Sequence, residues 1–244
     1  MEARWEIKLM GGLRVQRGSQ ARAHFRTRKT ASLLAYLAFH PGMHARESLI
    51  EVLWPDIDPL AGRNRLRVTL SLLRDIFEED AVVVADRSSA GLDATFFTTD
   101  VAKFEAALAR GKRCSSRPER KKHLIQTLDY YGGGLAPGLF ESWIPPAEAC
   151  LEEALVGVVR MLMADLEADD EHQQAIEYGL RGLSLAPLRE ELHSDVMRLH
   201  AALGHPASAL RQYHELTRLL REHLQTEPCT ATRELHARLE AHDK

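Results

Sequence analysis

The sequence has no long apolar run: the longest uninterrupted one, Leu33 to Phe39, has only seven residues. A membrane-spanning helix needs roughly 20, and the polar start Met-Glu-Ala-Arg-Trp-Glu does not lead into the apolar core of a signal peptide. Cysteine is also scarce, since Cys114, Cys150 and Cys229 lie far apart and form no CxxC pair. We therefore predict neither a disulfide framework nor a cysteine zinc site, and we expect reduced thiols in a cytoplasmic protein with no membrane contact.

The signatures of several enzyme classes are missing as well. The sequence contains no GxxxxGK[ST], no HExxH and no GxSxG, so it lacks the phosphate-binding loop, the zincin helix and the hydrolase nucleophile elbow. The 12 histidines are scattered, and His193 and His200, seven residues apart, are poorly spaced to share a metal. We predict no enzymatic activity, no metal site and no cofactor.

What the chain does have is the composition of a soluble globular protein, 45% hydrophobic and 27% charged, and a length of 244 residues that favours two domains. The net charge of −3 argues against nonspecific nucleic-acid binding by the whole molecule. The charge is unevenly distributed, however. Residues 1–99 carry 14 basic and 12 acidic side chains, and residues 100–244 carry 18 and 23. The segment Arg63 to Arg74 holds four arginines and no acid.

The first part of the chain changes from strand to helix periodicity. Alternating Trp5, Ile7 and Leu9 predict β structure, and a turn is expected around Gly18. Helical spacing begins near Arg28 and stops at His40-Pro41-Gly42. A second helix is predicted over Arg46 to Leu53, with Ala45 as a poor cap. The third, about Arg63 to Phe77, has one apolar stripe, made of Leu66, Leu70, Leu73 and Phe77.

The predicted first domain ends in a β-hairpin, formed by a strand over Ala81 to Ala85 and a second over Ala94 to Thr98. From Asp100 onward the pattern is helical. We expect an exposed basic loop over Gly111 to Pro118 and a flexible connector at Gly132-Gly133-Gly134. The helices predicted after this connector span residues 147–168, 171–185, 188–203, 207–224 and 230–241.

Parts of the helical region repeat at an offset of 34 residues. Ala175 corresponds to Ala209, and Met163 corresponds to Met197. A helix–turn–helix repeat of this length, with small residues at close-packing positions, is typical of tetratricopeptide (TPR) repeats. An arbitrary helical bundle is the alternative, because apolar spacing alone recurs often. We predict a mainly α fold with a small β component: a winged helix-turn-helix domain over residues 1–99 and a TPR-like helical domain over residues 100–244.

The first domain contains a characteristic series of short motifs: Arg28-Lys29, Leu33-Leu34-Ala35-Tyr36-Leu37, His40-Pro41-Gly42, Leu53-Trp54-Pro55 and Asn64-Arg65-Leu66-Arg67. In their order and spacing, these motifs resemble those of the SARP family of bacterial transcriptional regulators. The second domain resembles the bacterial transcriptional activation domain (BTAD) through Tyr131-Gly132-Gly133, Trp143, Ala186-Pro187-Leu188-Arg189, Gly204-His205 and Glu227-Pro228.

The resemblance implies an activator that binds double-stranded promoter DNA at direct repeats and recruits RNA polymerase through its helical domain. We expect that domain to serve as a protein-contact and dimerisation surface, with a homodimer formed on DNA. Three other functions stay open: a TPR-type adaptor whose winged domain binds protein, an N-terminal regulatory part of a larger signalling regulator, and a ligand-sensing regulator.

Side chains that can read DNA concentrate on the third helix. Arginine can donate two hydrogen bonds to a guanine edge or a phosphate, and asparagine can pair with adenine. The hairpin turn is expected at the minor groove, and helix starts favour phosphate. The predicted DNA contacts are Arg63, Asn64, Arg65, Arg67, Val68, Ser71, Leu72 and Arg74 on the helix, Arg87 and Ser88 on the turn, and Arg28, Lys29 and Arg46 at helix starts.

Each of these residues also has an ordinary structural interpretation. Asn64, the only asparagine, could satisfy backbone donors in the first helical turn. The arginines could form a solvated helix face, and Arg87 could be a solvated loop residue. The small and apolar residues Val68, Ser71 and Leu72 fit either thymine methyl groups or packing. We expect Trp54 to anchor its loop against the core.

Overall fold

The computed structural model describes residues 4–18, 20–77 and 81–242. The chain divides into two compact units. The first contains the described residues of Met1–Ala106 together with Tyr130–Ala149, and the second contains Ala107–Asp129 with the described residues of Cys150–Lys244. This division differs from the predicted boundary between residues 99 and 100 in two respects, because residues 100–106 and residues 130–149 both belong to the first unit.

The first unit begins with a four-stranded sheet in the order β3-β2-β1-β7. Strand β1 (Trp5–Lys8) is antiparallel to β2 (Arg14–Arg17), which pairs with β3 (Gln20–Arg22), and β7 (Phe97–Thr99) lies parallel to β1 on its other side. The alternation predicted from the sequence is present in β1 and directly after it: Trp5, Ile7 and Leu9 are buried, and Glu6 and Lys8 between them are not.

Three helices follow: α1 (Arg28–Phe39), α2 (Arg46–Leu53) and α3 (Pro59–Phe77). The predicted starts of α1 and α2 are confirmed, as is the missing side-chain cap at Ala45. Helix α3 begins four residues earlier than predicted. Asp58 accepts hydrogen bonds from the backbone N–H groups of Leu60 and Ala61, and Pro59 fits the first helical position, where no N–H is required. The predicted apolar stripe of α3 is buried throughout.

A second sheet, in the order β4-β6-β5, forms the wing. It contains β4 (Gly42–Ala45), β5 (Val83–Ala85) and β6 (Ser89–Leu92). The predicted hairpin partner, residues 94–98, is wrong, because β5 pairs with β6 and residues 97–99 belong to the first sheet. A Cβ on Gly91 would lie 2.2 Å from the Gly42 carbonyl oxygen. Gly91, which lies between the two predicted hairpin strands, therefore allows β4 and β6 to approach closely.

The three glycines at 132–134 pack against the first sheet, so their interpretation as a flexible connector is wrong. Gly11 N–H donates to the Gly134 carbonyl over 2.8 Å, and Ala136 N–H donates to the Leu9 carbonyl over 2.7 Å. Asp100 completes this part of the unit, because its buried carboxylate accepts the backbone N–H groups of Leu9 and Met10.

The second unit is helical. Helices α4 (Asp100–Arg113), α5 (Arg117–Tyr130) and α6 (Ile144–Glu167) contribute part of their length to it. It also contains α7 (His172–Leu185), α8 (Glu190–Ala202), α9 (Pro206–Leu224) and α10 (Thr230–His242). The predicted loop over Gly111 to Pro118 is mostly helical instead, because only residues 114–116 separate α4 from α5.

The 34-residue correspondence holds in space. Helices α7 and α9 begin 34 residues apart, and the matched residues Ala175 and Ala209, like Met163 and Met197, are all buried. In the first repeat, a Cβ on Gly179 would lie 2.6 Å from the Val196 side chain, which shows how closely α7 packs on α8. The fold is therefore mainly α with a small β component, a winged helix-turn-helix followed by TPR-like helices.

All three cysteines, Cys114, Cys150 and Cys229, are free thiols. Among the described residues, no helix combines the length and the apolar character that crossing a membrane requires.

Candidate nucleic-acid interface

Helix α3 presents one face to solvent because its other face is fixed by the core. Leu66, Leu70 and Leu73 are at most 2% exposed. Asn64, Arg67 and Ser71 are exposed on the opposite side, as predicted. Val68 lies among them and is 55% exposed, so its side chain is available to a partner. The burial of the leucines thus decides which side chains α3 can offer to a partner.

The arginines of this face carry charge that the described part of the protein does not neutralise. Arg65, Arg67 and Arg74 are exposed, and none of them forms an ion pair with a described carboxylate. Arg63 differs, since its Nη2 lies 3.3 Å from Glu47 Oε1 on α2. Both partners of that pair are well exposed, so the interaction is weak, and Arg63 can bind another anion in place of Glu47.

A shallow groove of about 390 Å³ runs beside the middle of α3. It brings together four residues predicted as DNA contacts on α3 and one from the start of α1. Trp54, half-buried after α2, forms part of its wall. The residues that line the groove are Thr27, Lys29, Trp54, Asn64, Arg65, Val68, Thr69 and Leu72.

The wing turn is held in shape by one carboxylate. Asp86 accepts the backbone N–H groups of Ser88 and Ser89 over 2.7 Å each and also accepts both hydroxyls. These hydrogen bonds lower the pKa of Asp86 to about 2. Arg46 joins the turn to α2, because its Nε donates to the Asp86 carbonyl and its backbone N–H donates to the Ser88 carbonyl.

The predicted wing residues fall into two groups, those that bind within the wing and one that does not. The Ser88 hydroxyl donates to Asp86 and the Arg46 Nε donates to the turn, so both side chains stabilise the wing. Arg87 is exposed at the turn and has no partner among the described residues. Of the wing residues predicted from the sequence, Arg87 is the one whose whole guanidinium is available to an outside anion.

The start of α1 places its two predicted residues against the segment 139–144. The Arg28 guanidinium lies 4.9 Å from the centre of the exposed Phe140 ring. Lys29 Nζ lies 3.2 Å from Glu141 Oε1, which is buried. Burial raises the pKa of Glu141, but hydrogen bonds from Ser32 and Lys29 outweigh it and keep the pKa below its usual value. The positive charge of Lys29 is therefore largely matched within the unit.

A second basic segment leads into the start of α1 and was not predicted as a DNA contact except at its last two residues. Residues 14–29 contain six arginines and lysines and no acid. Arg22 Nη1 donates to the Asp75 carbonyl over 3.1 Å, and Arg26 lies 3.9 Å from the Asp75 carboxylate, near the C-terminal end of α3. Arg14 is exposed. The run of like charge was the signal that could have identified this segment.

Comparison with known proteins gives matches of two kinds. The family model of the bacterial transcriptional activator domain matches residues 99–240. The regulatory protein AfsR of Streptomyces griseus is 27% identical over 243 residues, which cover 95% of this chain and 24% of AfsR. This chain thus spans about a quarter of the length of that relative.

A solved structure shares the fold over nearly the whole chain. It is Mycobacterium tuberculosis EmbR, determined in complex with a low-affinity phosphopeptide. The superposition has a TM-score of 0.70 and covers 99% of this chain and 66% of EmbR, at 20% sequence identity. At that identity the match concerns the fold, and it extends over the described residues of both compact units.

Proposed function

This chain belongs to the bacterial transcriptional activator domain family, and from that premise we propose that it is a DNA-binding transcriptional regulator of the SARP type. The observation that carries the proposal is the exposed face of α3. Three arginines on one helix have no described acidic partner in a protein whose net charge is −3. Such a helix can enter the major groove, where arginine reads guanine edges or contacts phosphate.

Within this proposal the residues have different roles. Asn64, Arg67 and Ser71 face the bases, because they project opposite the buried leucines. Arg65 and Arg74 contact phosphates at the margins of the same face. Val68, more than half exposed, suits a thymine methyl group. Arg87 reaches a phosphate beside the minor groove, held there by the turn that Asp86 and Arg46 stabilise.

The helical unit supplies the protein contacts. Its TPR-like helices form a surface that suits a partner peptide or helix, and we propose RNA polymerase as that partner. Two chains would bind direct repeats as a dimer formed on promoter DNA. Activation then follows from two contacts in one molecule, with DNA through the first unit and with polymerase through the second.

The test begins with genome-wide mapping of the DNA bound in cells and continues with purified protein on the recovered sites. We expect affinity for a recovered site to exceed that for a shuffled sequence by at least about 10³-fold, and both affinities to fall as salt rises. A reporter promoter carrying the site should be activated. Protein that shows no salt-dependent retention on any DNA would favour the TPR-type adaptor instead.

A further inference from the structure

The helical unit contains one strongly basic surface that the proposed function does not use. Residues 110–122, here called the α4–α5 corner, hold seven of the 18 lysines and arginines of residues 100–244 but only one of their 23 acids. The corner consists of the last turn of α4, the short connection 114–116 and the first turns of α5. The rest of the C-terminal region is correspondingly acidic.

The corner is a rigid part of the second unit. Gly111 lies where the two helices meet, and a Cβ at this position would be 3.3 Å from the Leu124 side chain. Three of the basic residues bind α5 to the end of α6 and the turn that follows it. Arg120 pairs with the buried Asp165, Arg117 pairs with Asp169, and Lys121 lies 2.8 Å from Asp169 and 3.0 Å from Glu171.

The other four cations are not used in this way. Arg110, Lys112, Arg113 and Lys122 are exposed, and none forms an ion pair with a described carboxylate. The corner's one acid, Glu119, is in the first turn of α5, where it complements the helix dipole.

Helix-dipole compensation accounts for only part of this charge. Arg110, Lys112 and Arg113 are in the last turn of α4, where cations are favourable, and Arg113 Nε donates to the Ala109 carbonyl over 3.1 Å. Lys122 is in α5, away from either helix end, so the dipole gives no reason for its position. The basic surface thus extends over two helices.

The chemistry of the corner fits a polyanion. Protein interfaces usually centre on apolar or aromatic anchors, yet none of residues 107–129, all of which the structure describes, is an exposed large hydrophobic. Phosphate backbones are bound by cations and small polar donors alone, and the exposed Ser115 and Ser116 are such donors. We propose that the α4–α5 corner contacts phosphates of the same DNA, outside the segment that α3 reads. This inference rests on the proposed function, which supplies the DNA.

The experiment uses the full chain and a 60-bp duplex of random sequence, because phosphate contacts do not depend on sequence. The double variant Lys112→Ala with Lys122→Ala removes two unpaired charges of the corner. The matched control, Arg211→Ala with Arg233→Ala, removes two charges from exposed arginines of the same unit that are hydrogen-bonded only to nearby hydroxyls. Melting curves of both variants should match that of the unaltered protein.

We expect the slope of log affinity against log salt to become shallower by about two in the corner variant and to stay unchanged in the control. Equal slopes for the two variants would overturn the inference, and reduced promoter activation with an unaltered slope would assign the corner to an acidic protein partner. The variant Arg87→Ala distinguishes a failure of the corner inference from a failure of the proposed function. If it changes the slope and the corner variant does not, the corner inference alone fails; if the unaltered chain shows no salt-dependent binding, the proposed function fails as well.

Discussion

Gly11 and Gly132, 121 positions apart in the sequence, approach so closely that a Cβ on Gly11 would lie 2.1 Å from the Gly132 carbonyl oxygen. Gly11 also has a φ of +71°, a backbone conformation that residues other than glycine rarely adopt. This contact fixes the segment 130–149 against the first sheet. The N-terminal unit is therefore completed by residues that follow α4 and α5 in the chain.

The first prediction concerns this contact. Gly11→Ala should destabilise the protein by about 2–4 kcal/mol, from backbone strain and overpacking together. Gly18→Ala is the matched control, because Gly18 has a similar φ of +58° but a Cβ there would meet nothing within 4 Å. Urea unfolding of both variants gives the comparison. Equal losses would mean that the close approach of Gly11 to Gly132 contributes nothing.

The second prediction concerns packing of the repeats. Ala209 is fully buried in α9, so Ala209→Leu should cost about 1–3 kcal/mol by overpacking and should abolish promoter activation. Salt-dependent DNA binding by the first unit should survive. Ala207→Leu, at an exposed position of the same helix, should leave stability and activation intact. Normal activation by Ala209→Leu at normal protein levels would contradict the role proposed for the helical unit.

The third prediction tests the wing. Arg87→Ala should weaken binding to specific and random DNA alike and make the salt dependence shallower by about one unit, because one phosphate contact is lost. Arg211→Ala, which removes an exposed arginine of the helical unit, should leave the slope unchanged. Binding isotherms at four or more salt concentrations measure both slopes. If Arg87→Ala also has no effect on the slope, Arg87 is a solvated loop residue.

The fourth prediction concerns pH. His193 is buried in α8, where its Nε2 donates to the Pro187 carbonyl and its Nδ1 accepts from the Gln212 amide. Burial lowers the pKa of His193, although the two hydrogen bonds and the nearby Glu215 and Glu190 oppose that change. The unfolded chain then binds a proton more readily, so this contribution to stability is present above pH 6.5 and is lost as the pH falls through the lowered value.

Urea unfolding at pH 7.5 and pH 5.5 checks this sign. The free energy of unfolding should be smaller at pH 5.5, and the difference should shrink in His193→Gln. Some difference should remain, because burial also lowers the pKa values of His200 and His40. A pH dependence that is the same in His193→Gln and in the unaltered protein would assign it to other groups.

Helices were predicted more accurately than sheets for a physical reason. An amphipathic helix repeats its buried positions every three or four residues, so the stripe through Leu66, Leu70 and Leu73 was visible in the sequence. Strand β6 and the glycines at 132–134 depend on close approach to residues far away in the chain. Such contacts leave no periodic signal, and small residues were therefore interpreted as turns and connectors.

For the candidate interface, the sequence predicted which residues are exposed on α3. It did not predict which of the other candidate residues have partners within the protein. The pairing of Lys29 with Glu141 joins positions 112 residues apart, and the hydrogen bond from Arg46 to Asp86 joins α2 to the wing. Neither could be deduced from local pattern. The basic segment 14–29 was visible as a charge run, but it precedes the predicted helices and lies mostly in the strand region, and only the structure shows that Arg22 and Arg26 reach Asp75 of α3.

The measurement that tests the central claim most directly compares Arg67→Ala with Leu70→Ala in both stability and DNA binding. Arg67 is exposed and should contribute at most about 0.5 kcal/mol to folding. Its loss should weaken binding to the specific site by about 1–3 kcal/mol more than binding to random DNA. Leu70 is 2% exposed, and Leu70→Ala should cost about 2–5 kcal/mol of stability through a cavity while removing no DNA contact. If Arg67→Ala weakens binding to specific and random DNA equally, Arg67 contacts a phosphate, and the assignment of α3 as a base-reading helix through this residue is contradicted.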